Sequence, residues 1–474
     1  MRASLISAAF LSAASLAAAI APAAEAQLSD PGGRAAFRAI YEEMVETDSS
    51  PSTGSCTRVV TSALGRLKAA GYADAEARLV IPAGAPDDGN LVAVIEGADA
   101  SAKAVLLLAH IDVVDARRED WQRDPYTLIE ENGFFHGRGT ADMKAQAAVF
   151  LDLMIRLKTE GFKPMRDLKL ALTCGEETSN RVNGVDYLLK NHRELIDAAF
   201  ALNEGARGLL SAAGKPLALQ LQAGEKIHQV FVLEVTNPGG HSSRPVPDNA
   251  IYRLAQALKK VQAHQFPVQV TPVTRTYFER IGPILGGQIG AAMTAVGKKP
   301  DDQGGLGVLT SDPTYNAILR STCVATQLDA GHAPNALPQR ARATFSCRIM
   351  QGTTLEQVQA AITGAVADPL VTVSIERRRD GSNPPELTEE IMAPIRKVAA
   401  RMWPGVAIAP SMTAGATDGR FLMNAGIPTY GMSGMFAIPG ESNAHGLDEK
   451  IRVKSVYEGR EFLEAVTRAY AGGE

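Results

Sequence analysis

Leu106-Leu-Leu-Ala-His110-Ile-Asp112, Gly137-Arg-Gly-Thr-Ala-Asp142-Met-Lys144 and Leu172-Thr-Cys-Gly-Glu176-Glu177 are three blocks of one stretch, and their reading decides the fold. The first and third put imidazole or carboxylate groups directly after an apolar, strand-like run, where a sheet ends and a cleft can open. The second puts Asp142 just ahead of an apolar-periodic segment over 145–157, at the start of a helix, where the dipole favours an anion and a cation held by it.

Outward from this stretch the same grammar repeats. Strands are expected over 77–81, 90–96 and 104–109, then 168–173 and 198–202, the last ending in Asn203-Glu204-Gly205. The break Thr47-Asp-Ser-Ser-Pro-Ser-Thr-Gly54 reads as a surface loop. Past Leu221 the texture changes. A strand over 230–235, a helix over 249–263, strands over 322–329 and 340–350, a helix over 355–366 and a strand over 371–377 make a strand-helix-strand-strand-helix-strand set, a small two-layer α+β domain. Between its first helix and second strand lie a helix over 289–296 and a glycine-rich turn over 298–307. Asp380-Gly-Ser-Asn-Pro-Pro385 reads as a return linker, followed by a helix over 389–402, a strand over 428–432 and a last helix over 453–471. The expected class is α/β, a mixed-sheet domain with a smaller ferredoxin-like domain inserted. The divisions are 1–26, 27–223, 224–383 and 384–474.

A chain of 474 residues with 45% apolar and 21% charged side chains exceeds what one core holds, since single cores stop growing at roughly 250 to 300 residues. The formal net charge of −4 leaves no basic surplus for phosphates, so nucleic acid is excluded as a partner. Arg2, an alanine- and leucine-rich run and Ala24-Glu-Ala26 have the layout of a cleaved secretory signal, which implies a secreted or periplasmic protein; a retained anchor is the alternative. No later segment approaches a membrane-spanning length. Export permits disulfides among the four cysteines Cys56, Cys174, Cys323 and Cys347. Cys323 and Cys347 lie in strand-like runs that can pair, so a cross-strand bridge and a pair of buried thiols are both open.

The clustered groups suit a metal. A hydrolytic cation needs neutral imidazole or ionised carboxylate ligands and an open position for water. Asp142, Glu177, Glu204 and His445 are ligand types, and of His110 and Asp112 one binds while the other orients it. Two imidazoles and three carboxylates suit two zinc ions that share one carboxylate, roughly 3.5 to 4 Å apart. Glu176 is then free to act as base. Taken singly, each of these residues reads as an ordinary loop histidine or solvated acid, and His136, His192, His228, His264 and His332 match no motif.

These motifs, with Asn203-Glu204-Gly205, Gly239-Gly-His241-Ser-Ser and Asn443-Ala-His445-Gly, resemble the exopeptidase and deacylase family that includes glutamate carboxypeptidase, acetylornithine deacetylase, succinyl-diaminopimelate desuccinylase and aminoacylase. The resemblance covers nearly the whole mature chain. It implies a di-zinc peptidase fold with an inserted lid or dimerisation domain, and two divalent metals, zinc being expected and cobalt or manganese able to substitute. It implies that Asp142 bridges them, that His110 and Glu204 complete one site and Glu177 and His445 the other, and that Asp112 orients His110 while Glu176 is the general base. His241 would polarise the scissile carbonyl, Asn335 and Arg348 hold the substrate carboxylate, and Gly415 and Thr417 belong to a glycine-rich substrate loop. Glutamate at 204 tilts the family pattern toward substrates with a free carboxylate. The implied activity is that of a carboxypeptidase or dipeptidase, with N-acyl amino acid deacylation as the alternative and a non-catalytic binding protein as the different class. In dimeric relatives the histidine matching His241 reaches the neighbouring subunit's site, so a homodimer is open, and the insert's surplus over 271–315 either enlarges that interface or covers the site within one chain.

Overall fold

The computed structural model describes residues 33–178, 180–378, 381 and 384–472; the expected leader over 1–26 lies outside them. The apolar runs assemble into a ten-stranded mixed sheet. In its middle Leu168–Thr173, Val105–His110, Phe200–Asn203 and Thr429–Gly431 lie side by side and parallel. A strand buried on both faces sends alternate side chains to opposite cores. Val105, Leu107 and Ala109 accordingly enter one cluster, with the helix Lys144–Glu160, while Leu106 and Leu108 enter another with Val185 and Leu188 of Gly184–Asn191. Because the strands point one way, their carboxyl ends deliver His110, the turn Cys174 to Glu177 and Glu204 to a single edge of the sheet. The helix Lys144–Glu160 is stopped by Gly161, left-handed at φ 69°, as a helix end favours.

A second sheet takes the strands Thr322–Ala330, Arg340–Ile349, Ile227–Thr236 and Thr372–Glu376 in that spatial order, every neighbour antiparallel. The helices Ala250–Ala263 and Leu355–Val366 pack on it through Leu254, Val358 and Ile362 against Phe231, Leu233 and Phe345. The second helix opens on a capping box in which Thr354 and Gln357 satisfy each other's backbone N–H groups. This is the strand-helix-strand-strand-helix-strand set expected from the periodicity.

Three local readings change. The serine-rich break is a surface loop only in part: Ser52 and Thr53 are exposed, but Ser49 and Ser50 are fully buried. Ser49 Oγ donates to the Ile111 carbonyl, and Arg181 Nη2 donates to the carbonyls of Ser50 and Gly54, so the polar atoms that suggested solvent are satisfied inside. The glycine-rich turn over 298–307 is half helix, Gln303–Ser311, capped by the Asp302 carboxylate on Gly305 N–H. Gly305 serves approach, because an added Cβ would stand 2.9 Å from the Ala292 carbonyl of the helix before it. Finally, the strands Pro216–Glu225 and Ala407–Thr413, which pair in parallel, escaped the sequence reading. Pro410 sits in the latter, a position a sheet tolerates only where the ladder is open on one side.

The surplus over 271–315 forms the helices Pro272–Leu285, Gly287–Lys298 and Gln303–Ser311, followed by Pro313–Leu319. They leave the small sheet and dock on the large one, Phe278, Ile281, Met293, Val296 and Leu309 packing with Ala218 and Ala409.

All four cysteines pair. Cys323 and Cys347 are direct cross-strand partners and are joined, and an unforeseen second bridge links Cys56 to Cys174. By the loop-closure argument the 24-residue separation of the first contributes about 3 kcal/mol and the 118-residue separation of the second about 5 kcal/mol. Paired Cys→Ala variants of the oxidised protein, compared by equilibrium denaturation, should lose stability in that order; equal stability of both variants and the parent would refute it.

Candidate active site

His110 ends its strand fully enclosed. Its Nδ1 lies 3.1 Å from the main-chain carbonyl of Asp112. A carbonyl only accepts, so Nδ1 carries the hydrogen and the neutral ring presents the lone pair of Nε2 to the cleft. That nitrogen is buried and has no hydrogen-bond partner. Asp142 Oδ1 is 3.3 Å from it and Glu204 Oε1 3.5 Å.

The other oxygen of Asp142 meets the second imidazole: His445 Nε2 is 3.3 Å from Asp142 Oδ2 and 2.8 Å from Glu177 Oε2. Two histidines from distant parts of the chain thus flank one carboxylate. Donor atoms of His110, Asp142 and Glu177 lie within 4.8 Å of one another, as do those of His110, Glu176 and Glu204. Imidazole nitrogen and carboxylate oxygen are the donors that zinc takes, and an orphaned buried Nε2 among four carboxylates fits divalent cations. A cavity of about 280 Å³ opens over the group, lined by Asp142, Glu176, Glu177, Glu204 and His445.

The charges respond to the crowding. Burial opposes a second proton on His110, but Glu204, Asp142 and Asp112 outweigh it and hold the ring well above the ordinary histidine value, so the Nε2 proton is the one a bound cation would displace to reach the lone pair. Hydrogen bonds that His445 donates to the Asp142 and Glu177 carboxylates raise it to about 10. Burial, then the neighbouring Glu204, pushes the Glu176 carboxyl well up. With bound cations offsetting its acidic neighbours, a carboxylate so placed would be a proton acceptor in the cleft.

Two further groups set the geometry. Asp112 turns its carboxylate to the main chain, accepting the N–H of Glu176 at 3.2 Å and of Glu177 at 3.0 Å. Its contact to His110 Nδ1 is longer, 3.6 Å, so the ring is oriented by the Asp112 carbonyl and the acidic turn by its side chain. Glu449, absent from the sequence reading, is buried beneath Asp142. One of its oxygens accepts Ala141 N–H at 2.7 Å and Asp142 N–H at 3.0 Å, the other Arg138 Nη1 at 2.8 Å and Gly139 N–H at 3.1 Å. The available signal was a cation in Gly137-Arg-Gly and an acid four residues after His445, one beside each ligand-type motif.

Of the remaining expected residues, Gly415 and Thr417 line the cavity, and Thr417 donates both N–H and Oγ1–H to Glu225 Oε2 at 2.9 Å. Arg348 is half-buried on the small domain with Glu176 among its charged neighbours. His241 and Asn335 come together but away from the cavity. His241 pairs with Ala336 in a two-stranded ribbon, Ser242 N–H donates to the Asn335 carbonyl, and both residues are exposed. Within one chain they do not line the reacting centre.

A family model described as peptidase family M20/M25/M40 matches residues 106–469. The chain is similar to mouse N-fatty-acyl-amino acid synthase/hydrolase PM20D1, 26% identical over 375 residues that cover 76% of this chain and 73% of that protein. It is also similar to a probable carboxypeptidase S-like 2 of Dictyostelium discoideum, 28% identical over 382 residues, covering 77% and 71%. Among solved structures, an M20 family metallo-carboxypeptidase, Sso-CP2 of Sulfolobus solfataricus, shares the fold with a TM-score of 0.67 at 18% identity, over 92% of this chain and 99% of that one.

Replacing Glu449 with Gln keeps the shape but turns an amide N–H₂ toward two N–H donors and leaves Arg138 without its charge partner. Breaking a buried pair this way costs about 3 to 5 kcal/mol. Denaturation should show that loss, and bound metal should fall with it; a variant of parental stability and metal content would remove Glu449 from this role.

Proposed function

This chain belongs to the peptidase family M20/M25/M40, and we propose that it is an exported, zinc-dependent carboxypeptidase or dipeptidase that cleaves the amide bond next to a residue with a free carboxylate. The observation that carries the reading is the meeting of His110 and His445 on opposite oxygens of Asp142. Asp142 would bridge two cations, with His110 and Glu204 completing one site and Glu177 and His445 the other. When bound, such cations polarise an amide carbonyl and make water a stronger acid.

The chain's own groups supply the rest. Glu176 takes the proton of the attacking water and returns it to the leaving amine, a role that its place in the cleft beside His110 and Glu204 allows. Asp112 fixes the Glu176 backbone, so the base does not wander from the cleft. Arg348 is the cation for the substrate carboxylate, since a planar guanidinium binds a carboxylate through two hydrogen bonds. Asn335, exposed beside His241 and away from the cavity in one chain, would assist it from a second copy, and Gly415 and Thr417 shape the loop beneath. His241 Nδ1 accepts from Ser243 N–H at 3.1 Å, which leaves the hydrogen on Nε2, the tautomer that donates to a carbonyl.

His241 is exposed in one chain, so its part in the reaction requires a second copy. A homodimer is supported by the edge strand Thr322–Ala330, where Val324 and Leu328 are 62% and 65% exposed, an unusual cost for a lone sheet edge. Export is supported by the composition of residues 1–26 and is compatible with two disulfides. A second reading, N-acyl amino acid deacylation, is favoured by the likeness to the N-fatty-acyl-amino acid synthase/hydrolase. A non-catalytic binding protein is disfavoured, because Glu176 and every ligand-type residue are retained.

Chelation should abolish hydrolysis, and zinc or cobalt should restore it; an enzyme that stays active at full metal loss, measured on the same sample, would end the metal reading. Glu176→Ala should retain metal while kcat falls about 10²-fold or more, the usual contribution of a positioned base. Near-parental turnover would show that another group moves the proton.

A further inference from the structure

None of the residues assigned to the reacting centre comes from the four helices between Pro272 and Leu319. These helices wall a second cavity, of about 350 Å³, a size typical of small-molecule sites, which run from roughly 300 to 1,000 Å³. Gly205 and Thr413 line both this cavity and the catalytic one, so the two chambers meet there. Gly205 follows Glu204 directly. Its φ is +122°, and an added Cβ would stand 1.9 Å from Gln222 Oε1, so the corner is restricted to glycine. Gln222 lines the catalytic cavity, so a side chain at 205 would crowd the wall where the two chambers adjoin.

The chemistry of the second chamber differs from that of the first. Tyr277, Tyr315, Ala317 and Ile318 of the helices face Met412 and Ala414, and neutral hydroxyl and amide groups, Thr274 and Gln220 among them, complete a wall that is uncharged but not wholly apolar. Among the described residues that line it there is no Lys, Arg, Asp or Glu. Burial pushes the Tyr277 hydroxyl up to about 12, and Gln220 Nε2 donates to it at 3.4 Å, so it stays neutral. An uncharged chamber gives a carboxylate no cation to pair with. That end of the substrate is assigned to Arg348, which has Glu176 and Arg420 among its charged neighbours. The chamber is left with the other half of the molecule, the acyl side of the scissile amide.

We infer that this chamber is a subsite for an uncharged, apolar acyl group, either a hydrocarbon chain or a large apolar side chain on the residue before the cleaved bond. The inference rests on the amide-hydrolase reading for the direction of the substrate, while the chamber itself rests on the docking of the surplus helices against the large sheet. Apolar burial near 25 cal/mol per Å² makes each methylene that enters worth about fourfold in kcat/KM.

The test uses the full-length, metal-loaded protein and N-acyl derivatives of leucine, glutamate and lysine carrying acetyl, octanoyl or dodecanoyl groups, beside acetyl-glycyl and acetyl-phenylalanyl forms of the same amino acids. kcat/KM should rise at least tenfold from acetyl to the longest chain that fits, or from glycyl to phenylalanyl; the two arms tell a fatty chain from a peptide side chain. Ala317→Phe, which fills the chamber, should cut the long-to-acetyl ratio at least tenfold, and Ile318→Ala should shift the optimum to larger groups. A flat profile, or equal losses on short and long substrates, overturns the subsite. Calorimetric binding of the same series to Glu176→Ala separates the two readings. Chain-length-dependent binding that Ala317→Phe abolishes, without turnover in the parent, would uphold the subsite and sink the hydrolase; turnover without chain-length dependence would do the reverse.

Discussion

Four N–H groups of the segment 138–142 converge on one buried carboxylate, Glu449, and the rest of the site depends on that convergence. Asp142 and His445 are separated by about two thirds of the chain, with a whole domain between them in sequence. The hydrogen bonds to Glu449 fix the loop that carries Asp142 to the loop that carries His445, and Arg138 Nη2 adds a bond to the Gly446 carbonyl at 3.0 Å. An unmet buried N–H costs about 1 to 3 kcal/mol, so four on one carboxylate hold the two loops in a single arrangement. His445 itself has φ +64°, and Asn443 and Asp448 are also left-handed. A backbone in that region persists where its surroundings over-determine it, and the Glu449 network is the surrounding in question.

Asp112 plays the corresponding part on the other wall. Its carboxylate anchors the two amides of the Glu176-Glu177 turn while its carbonyl selects the His110 tautomer. The Cys56–Cys174 bridge enters the same turn two residues before Glu176, and Arg181 Nη1 bonds Asp88 behind it at 2.7 Å. The groups that would touch the substrate are therefore backed by groups that touch only each other, the arrangement a site needs if its geometry is to be held before the substrate arrives.

Much of this was legible. His110, Glu177 and Glu204 announce themselves because each follows closely on a short continuous apolar run of the kind buried on both faces of a sheet. The helix over 355–366 matches its expected bounds because its capping box and period agree, and the helix over 453–471 because its period runs to the left-handed Gly472. What escaped depends on contacts between distant segments. Ser49 and Ser50 carry a loop composition, and only Arg181 and the Ile111 carbonyl make their burial possible. Glu449 reads as one more acid until Arg138 is placed beside it. The strand Ala407–Thr413 has a proline and weak alternation, and it is a strand because Pro216–Glu225 offers it a ladder. The exposed placing of His241 and Asn335 is a property of tertiary arrangement that no local pattern encodes.

The docking of the surplus helices also bears on mechanics. A domain inserted once is joined to its host by two crossings of the chain, which together act as a hinge about which it can swing. Here the chain leaves the small sheet after the helix Ala250–Ala263, crosses to the large sheet for the helices from Pro272 to Leu319, and crosses back into the strand Thr322–Ala330. The return is pinned by Lys226 Nζ on the Arg320 carbonyl and by Gln269 N–H on the Leu319 carbonyl at 2.7 Å. Four tethers in place of two remove most of the rotations open to a hinged lid, so closure over a substrate is confined to small sliding movements along the interface.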